Sequence, residues 1–379
     1  MDDVYVKSLE LHLVHKGKLE VKSKVLVTNK DELSLAYTPG VAEVCRLIAK
    51  DKSASFTHTL RGNMVAVISD GSAILGLGNL GAEAAIPVME GKAVLFKEFA
   101  GVDAFPICLA TQDTEEIIKT VKYLAPTFGG INLEDISAPR CFEIEARLKK
   151  ELDIPVMHDD QHGTAVVILA ALINSLKLLG KNKEEVKLVI NGSGAAGTAI
   201  AKLLLDYGFI NIIACDTSGA IYEGRPEMNT SKVELASLTN KEKKQGNLAE
   251  VLIGVNIFIG VSAPNVVTAE MVKTMAEKPI IMALSNPVPE IMPDIAKTAG
   301  AFIVATGRSD FANQINNVLA FPGIFRGALD NKVKQITDKM LIQAAVNLAN
   351  VVSEPTVDYI LPNPFDKTVA PAVAKAIVE

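Results

Sequence analysis

Cysteine is scarce in this chain: Cys45, Cys108, Cys141 and Cys215 are the only four in 379 residues. They are far apart and form no C-x-x-C, so they read as buried reduced thiols rather than a disulfide framework or a zinc site. Tryptophan is absent and positive charge is in deficit, with 38 basic against 44 acidic side chains and a formal charge of -6. Without a basic block, a nucleic-acid partner is not expected. The N-terminus, MDDVYVKSLE, is acidic and has no apolar core of a signal peptide. The longest apolar stretch, AVVILAALINSLKLL from Ala165, carries Asn174, Ser175 and Lys177. It reads as a core helix rather than a membrane span, and a cytoplasmic protein is expected. Repeats and low-complexity tracts are also missing. What remains is a chain with 49% hydrophobic residues and 26 glycines, long enough for two or three domains with proper cores.

Short strands and helices alternate along the chain. MVAVISD at Met64, VDAFPICLA at Val102 and LDIPVMH before His158 have strand character. TEEIIKTVKYLA from Thr114 has helical spacing with an acidic first turn, and a second helix follows Pro139. Beyond Gly163 a long apolar helix leads to KLVI, NGSGAAG, TAIAKLLLDYGF and NIIACD, a strand, glycine turn, helix and strand in succession. Further apolar runs at VNIFIGV, PIIMALS and AFIVATG extend the pattern to a doubly wound parallel sheet. The tail from Asp330 reads as one helical stretch, the Pro-rich LPNPFD and a short Ala-rich helix. The expected fold is α/β, with the main boundary near residue 158: residues 1–158 form one domain and 159–379 a Rossmann-like domain with a helical tail.

Gly192-Ser193-Gly194-Ala195-Ala196-Gly197 is a G-x-G-x-x-G that follows a strand and opens a helix. The first glycine allows a tight turn, the second lets backbone approach a pyrophosphate, and the third permits close packing of helix on sheet. Asp216 ends the next strand, where a carboxylate bonds ribose hydroxyls and repels a 2′-phosphate. That favours NAD, although Arg225 is near enough to keep NADP open. A second G-x-G-x-x-G, at Gly76, Gly78 and Gly81, lacks the acidic strand end, and Pro87 is expected to interrupt its helix. With Asn79 it remains a candidate loop approaching the dinucleotide from the other domain.

MHDDQHGT at Met157 poses a choice. His158 and His162 are four apart, the spacing of a helical zinc motif. The preceding LDIPVM is strand-like and Gly163 follows at once, so the helix is expected to begin near Thr164, with the histidines on different faces. The carboxylates have better company. Glu134 and Asp135 in GGINLEDIS could join Asp160 in an all-oxygen site suited to Mg²⁺ or Mn²⁺. By spacing alone, a solvated helix start is the favoured reading of the Glu-Asp pair.

Taken together, these segments resemble the malic enzyme family in its short prokaryotic form. The resemblance runs through YTPGVAEVC at Tyr37, SDGSAILGLGNLGAEAAIPVMEGKAVLFK from Ser69 and GGINLEDISAPRCFEIE from Gly129. It continues in HDDQHGTA, GSGAAG, ALSNPVPE at Ala283 and NNVLAFPGIFRGAL at Asn316. The resemblance implies a smaller α/β N-terminal catalytic domain beside the Rossmann domain, and oxidative decarboxylation of malate to pyruvate and CO₂. It implies NAD or NADP, with Mg²⁺ or Mn²⁺, as cofactors. It makes Glu134, Asp135 and Asp160 the metal ligands, Lys92 the general base, Tyr37 the general acid and Asp159 the partner that tunes the lysine. Asn286 and Asn317 would touch substrate and nicotinamide, with Asn316 an alternative to Asn317.

Lys92 is expected to be desolvated and lowered in pKa, so that it takes the hydroxyl proton of malate. Where longer members carry an arginine for the substrate carboxylate, this chain has Ala73. Arg61, Lys97, Arg140 and Arg308 are the replacement candidates. Two other outcomes stay open: a malolactic enzyme that retains NAD and makes lactate, and an inactive nucleotide-sensing module. A homodimer is expected, with Tyr37 acting across its interface, and no membrane partner.

Overall fold

The structure, a computed structural model, describes residues 2–379. Among the described residues, ten strands make two sheets. The first comprises β1 (Met64–Ser69), β2 (Asp103–Cys108), β3 (Gly130–Leu133) and β4 (Val156–His158), all parallel in the order β2-β1-β3-β4. The second comprises β5 (Lys187–Asn191), β6 (Asn211–Asp216), β7 (Gly219–Ala220), β8 (Ile257–Gly260), β9 (Ile280–Ala283) and β10 (Ile303–Thr306). Its order is β10-β9-β8-β5-β6-β7, parallel except for the two-residue edge β7. The apolar runs explain the burial: Val65 to Ile68, Ile257 to Ile259 and Ile280 to Ala283 are wholly inaccessible, as strands covered by helices on both faces must be. From β5 the chain winds out to β6 and then returns to β8 on the other side. That reversal opens a crevice at the carboxyl ends of β5 and β8.

Two expectations about helices fail. The helix expected near Thr164 spans Asp159–Leu179, so β4 passes into it with no loop and His158 stands at its N-cap. His162 lies inside that helix, one turn beyond the N-cap histidine. With mean hydropathy 1.6 it is long and apolar enough to cross a membrane by composition, yet Ala165 to Leu172 are all buried in the fold. It is apolar all round because the helices Ala195–Tyr207 and Asp338–Ala349 pack on it. Pro87, expected to interrupt its helix, sits within an unbroken one, Ala82–Ala100. Proline removes one N–H and frees one carbonyl near the helix start, and packing around Met89, Ala93 and Phe96 retains the helix.

The halves are not separate bodies. From the second half, the helix Phe321–Asp330 returns to Ala82–Ala100, where Phe96 meets Phe321 and Phe325 edge-on with ring centres 4.7 and 5.4 Å apart. By contrast, the helices Lys30–Ala36 and Val41–Lys50 bury no residue. Leu35 within the first is 78% exposed, and Leu26 and Tyr37 beside it are 77% and 68% exposed.

Candidate active site

The C-terminal ends of β1, β3 and β4 converge on one buried charged cluster. Glu134 and Asp135 follow β3, and Asp159 and Asp160 follow β4 as the first turn of the long helix. Lys92 reaches in from the helix Ala82–Ala100 and is 7% exposed. Its Nζ lies 2.6 Å from Asp159 Oδ2 and 2.9 Å from Glu134 Oε1, over the ring of Phe321 at 4.2 Å. Asn317 donates to the same Asp159 oxygen. Asp160 Oδ2 accepts the Asp135 backbone N–H at 2.8 Å, which joins the two acidic segments. Asn132 donates to Glu134 Oε2 at 2.8 Å.

Four carboxylates face one ammonium here, a charge imbalance that a low-dielectric interior resists. The imbalance favours the protonated form of the acids. Burial, foremost, raises the carboxyl groups of Glu134, Asp135, Asp159 and Asp160, and their mutual repulsion adds to it against the attraction of Lys92. Lys92 itself departs from expectation. Burial works to lower it, but Asp159 and Glu134 outweigh burial and raise it, so the lysine rests as an ammonium. Desolvation alone predicts the wrong sign because its partners come from positions 134 and 159, invisible around residue 92.

Among the described residues, the metal-ligating side chains that converge are Glu134, Asp135 and Asp160, with one oxygen from each within 4.8 Å of the others. Asp135 Oδ2 is buried with no hydrogen-bond partner, and Asp160 keeps a third of its side chain exposed. Hard oxygen donors, net negative charge, an unpartnered oxygen and an open side fit Mg²⁺ or Mn²⁺. The histidines lie elsewhere: His162 bonds Glu145 at 3.0 Å, and burial holds His158 below the usual imidazole range, at about 4. Gly163 is what lets Asp159 fold back on its own helix, since a Cβ there would lie 1.9 Å from Asp159 Oδ1.

The nucleotide loop matches the three roles of its glycines. Gly192 has φ +119°, Gly194 faces open space, and a Cβ on Gly197 would lie 1.7 Å from the Gly192 carbonyl oxygen. Ala195 and Ala196 begin the helix Ala195–Tyr207. Asp216, at the end of β6, is fully engaged. Oδ1 accepts the Ser218 N–H at 2.9 Å and Arg225 Nη1 at 2.9 Å, while Oδ2 accepts Arg225 Nη2 and Lys232 Nζ, the latter at 2.7 Å. Burial opposes ionisation there, but Arg225 and Lys232 hold the carboxyl well below its ordinary range. A carboxylate offers about four lone-pair positions, and all are taken.

The second glycine loop approaches this domain. A Cβ on Gly76 would lie 3.2 Å from the Asn286 carbonyl oxygen, and Gly78 faces open space. Asn79 is committed to Gln112 by two reciprocal bonds of 3.0 and 2.8 Å. Asn286 follows β9, with its Nδ2 2.9 Å from where Gly307 would carry a Cβ. The adjacent asparagines separate clearly: Asn317 reaches Asp159, whereas Asn316 caps the short helix Asn317–Leu319 through the Val318 N–H. No hydrogen bond or ion pair joins Tyr37 to the cluster among the described residues.

Of the four candidate cations, Arg61 serves Phe128 and Ser55, and Lys97 serves Asp103. Arg308 pairs with Asp310 and the Pro287 carbonyl. Arg140 is held by Asp70, 3.0 Å away, and by Ser137, just past Asp135. Asn132, Phe321 and Lys232 are additions to the expected set. Asn132 had a signal, since it sits two residues before Glu134 on a strand and shares its face; the other two had none locally.

Comparison with known proteins agrees with this geometry. The pattern described as malic enzyme, N-terminal domain, matches residues 16–149, and that described as malic enzyme, NAD binding domain, matches 161–379. The chain is 60% identical over 376 residues to the bifunctional malic/malolactic enzyme of Bacillus subtilis, covering 98% of this chain and 92% of that one. It is 56% identical over 365 residues to the NAD-dependent malic enzyme of Geobacillus stearothermophilus, covering 96% and 76%. The crystal structure of the NAD-dependent malic enzyme of Thermotoga maritima superposes with TM-score 0.95 at 52% identity, covering 97% of this chain and 98% of that one. Matched in both halves and over nearly its whole length, the chain belongs to the malic enzyme family.

Proposed function

We propose that the chain oxidises and decarboxylates (S)-malate to pyruvate and CO₂, reducing NAD or NADP, in a site built from residues 1–158 and completed by 159–379. The observation that carries this reading is the excess of buried carboxylates around Lys92, with three of them converging on an unpartnered oxygen. Glu134, Asp135 and Asp160 would hold the divalent cation. When bound, the dinucleotide would supply the hydride acceptor for C2, and the cation would supply a Lewis acid for the C2 oxygen, where negative charge grows as C4 is lost as CO₂.

The protein's own groups handle protons. Lys92 stands 2.6 Å from Asp159, so the resting ammonium hands its proton to that carboxylate along a preformed hydrogen bond, and the freed amine then takes the proton of the malate hydroxyl. Asn317 and Phe321 fix that pair and keep water from it. Arg140 is the best placed of the four cations to meet a substrate carboxylate, through its position beside Ser137.

The saturated carboxylate of Asp216 bears on the dinucleotide. With Arg225 and Lys232 attached, the ribose subsite carries a net positive charge, which supports acceptance of NADP alongside NAD. The exposed N-terminal leucines and Tyr37 support a homodimer in which Tyr37 serves the partner's site as proton donor to C3. The likeness to a bifunctional malic/malolactic enzyme supports a second outcome, lactate with retained NAD. Product analysis from malate with Mn²⁺ decides between them. Pyruvate equal to the reduced dinucleotide is expected. Lactate without reduced dinucleotide replaces this reading with the malolactic one, and untouched malate refutes both.

A further inference from the structure

Glu145 has no part in the chemistry above, yet it is among the most heavily engaged acids in the molecule. It lies within the helix Arg140–Glu151 and is 5% exposed. Its carboxylate gathers donors from the turn that carries Asp159 and Asp160. The His158 backbone N–H reaches Oε1 at 3.0 Å and Gln161 Nε2 reaches Oε2 at 3.2 Å. His162 Nε2 lies 2.9 and 3.0 Å from the two oxygens, and Lys149 Nζ lies 3.1 Å from Oε1. Burial opposes this charge, but His162 and Lys149 outweigh burial and hold the carboxyl well below its ordinary range.

The turn needs such an acceptor. The helix Asp159–Leu179 has no side-chain cap at His158, and the buried His158 ring makes no hydrogen bond of its own. The first turn has its own acids, but Asp159 is engaged by Lys92 and Asp160 by the Asp135 N–H, so the His158 N–H at this buried helix start is met by a carboxylate from another helix. Asp159 and Asp160 are the first two residues of this helix, so whatever holds its first turn aims their side chains. The helix that carries Glu145 itself begins at Arg140, just beyond Glu134 and Asp135. One carboxylate thus connects both segments of the acidic trio.

We propose that Glu145 is the positioning residue of the metal centre: by holding His158 N–H, Gln161 and His162 it aims Asp160 at Glu134 and Asp135. This rests on reading the trio as a divalent-cation site. Partners that orient metal ligands typically change metal affinity 10–100-fold when lost.

The test is Mn²⁺ affinity of the full chain, from the paramagnetic signal of the free ion, with dinucleotide affinity measured on the same preparations. Glu145→Gln should weaken Mn²⁺ about 10–100-fold, leave dinucleotide affinity unchanged, and regain turnover at high Mn²⁺. His162 supplies a second pair should Glu145→Gln not fold. His162→Gln keeps an N–H donor and should bind Mn²⁺ as the wild type does, while His162→Phe should weaken it. Unchanged Mn²⁺ affinity in Glu145→Gln or in His162→Phe overturns the proposal, as does an equal loss of metal and dinucleotide affinity. A wild-type chain that binds no Mn²⁺ refutes the metal reading itself, a result distinct from either.

Discussion

Replacing Lys92 with methionine keeps the length and apolar body of the side chain and removes its charge. In the native cluster the ammonium lies 2.6 Å from Asp159 and 2.9 Å from Glu134, and all three groups are buried. Removing one partner of a buried pair costs about 3–5 kcal/mol. Unfolding entropy of about 2.1 cal/mol/K per residue gives about 0.8 kcal/mol/K over 379 residues. A loss of about 4 kcal/mol then lowers the unfolding midpoint by about 5 °C.

The loss follows pH in one direction. Glu134, Asp135, Asp159 and Asp160 are raised, so the folded chain keeps protons that the unfolded chain releases above the ordinary carboxylate range. Stability of the metal-free chain therefore falls as pH rises through the raised values. Lys92, also raised, contributes its stability at every pH below the ordinary lysine range. Without it the four acids rise further, and the deficit should be smaller at about pH 5.5 than at about pH 8, because protonation relieves the unpaired charge. Mn²⁺ should narrow the deficit by neutralising the trio. Calorimetry of both chains, at each pH and with or without Mn²⁺, measures all four quantities. A Lys92→Met chain as stable as the wild type at the higher pH without metal refutes the reasoning, and so does a deficit that Mn²⁺ leaves untouched.

Gly163→Ala places a methyl 1.9 Å from Asp159 Oδ1, and Asp159 cannot yield freely because Lys92 and Asn317 hold it. Turnover should drop roughly 100-fold with the fold retained by circular dichroism, and undiminished turnover contradicts the role given to Asp159. Lys232→Ala removes one donor at the ribose subsite and frees one oxygen of Asp216. NADP affinity should fall roughly tenfold while NAD affinity holds or improves, and equal changes for both exclude Lys232 as a phosphate contact. Mixed dimers of Tyr37→Phe and Lys92→Ala chains should regain activity if the two residues serve from different copies. Mixtures that stay inactive, with heterodimers demonstrated, count against sharing.

How much could be read in advance depends on distance along the chain. The GSGAAG turn was legible because strand, glycines and helix are contiguous, and each glycine's job is local. The strands β1, β8, β9 and β10 were equally plain, as apolar runs, and β2 nearly so despite Asp103 and Pro106. The start of the long helix was not, because Gly163 looks like a terminator until Asp159 is seen folded against it. The helix beyond Pro87 was hidden for a similar reason: Phe96 anchors it to Phe321 and Phe325, far downstream. The same holds for charge. Lys92 looked ready to lose its proton until residues 134 and 159 arrived beside it, and Asp216 looked free for a ribose until Lys232 took its last lone pair. Glu145 stood in plain view in CFEIE, but its donors come from the next strand and helix.

Glu134, Asp135 and Asp160, loaded with one divalent cation, are proposed to drive malate oxidation at the adjoining Lys92. The most direct test is to titrate Mn²⁺ into the metal-free chain with malate and oxidised dinucleotide present, recording dinucleotide reduction and bound ion together. No reduction is expected before ion is added, and the rate should saturate at one ion per chain. Asp135→Asn should lose binding and rate in parallel. Full turnover without the ion, or with the Asp135 carboxylate gone, would refute the assignment of the trio.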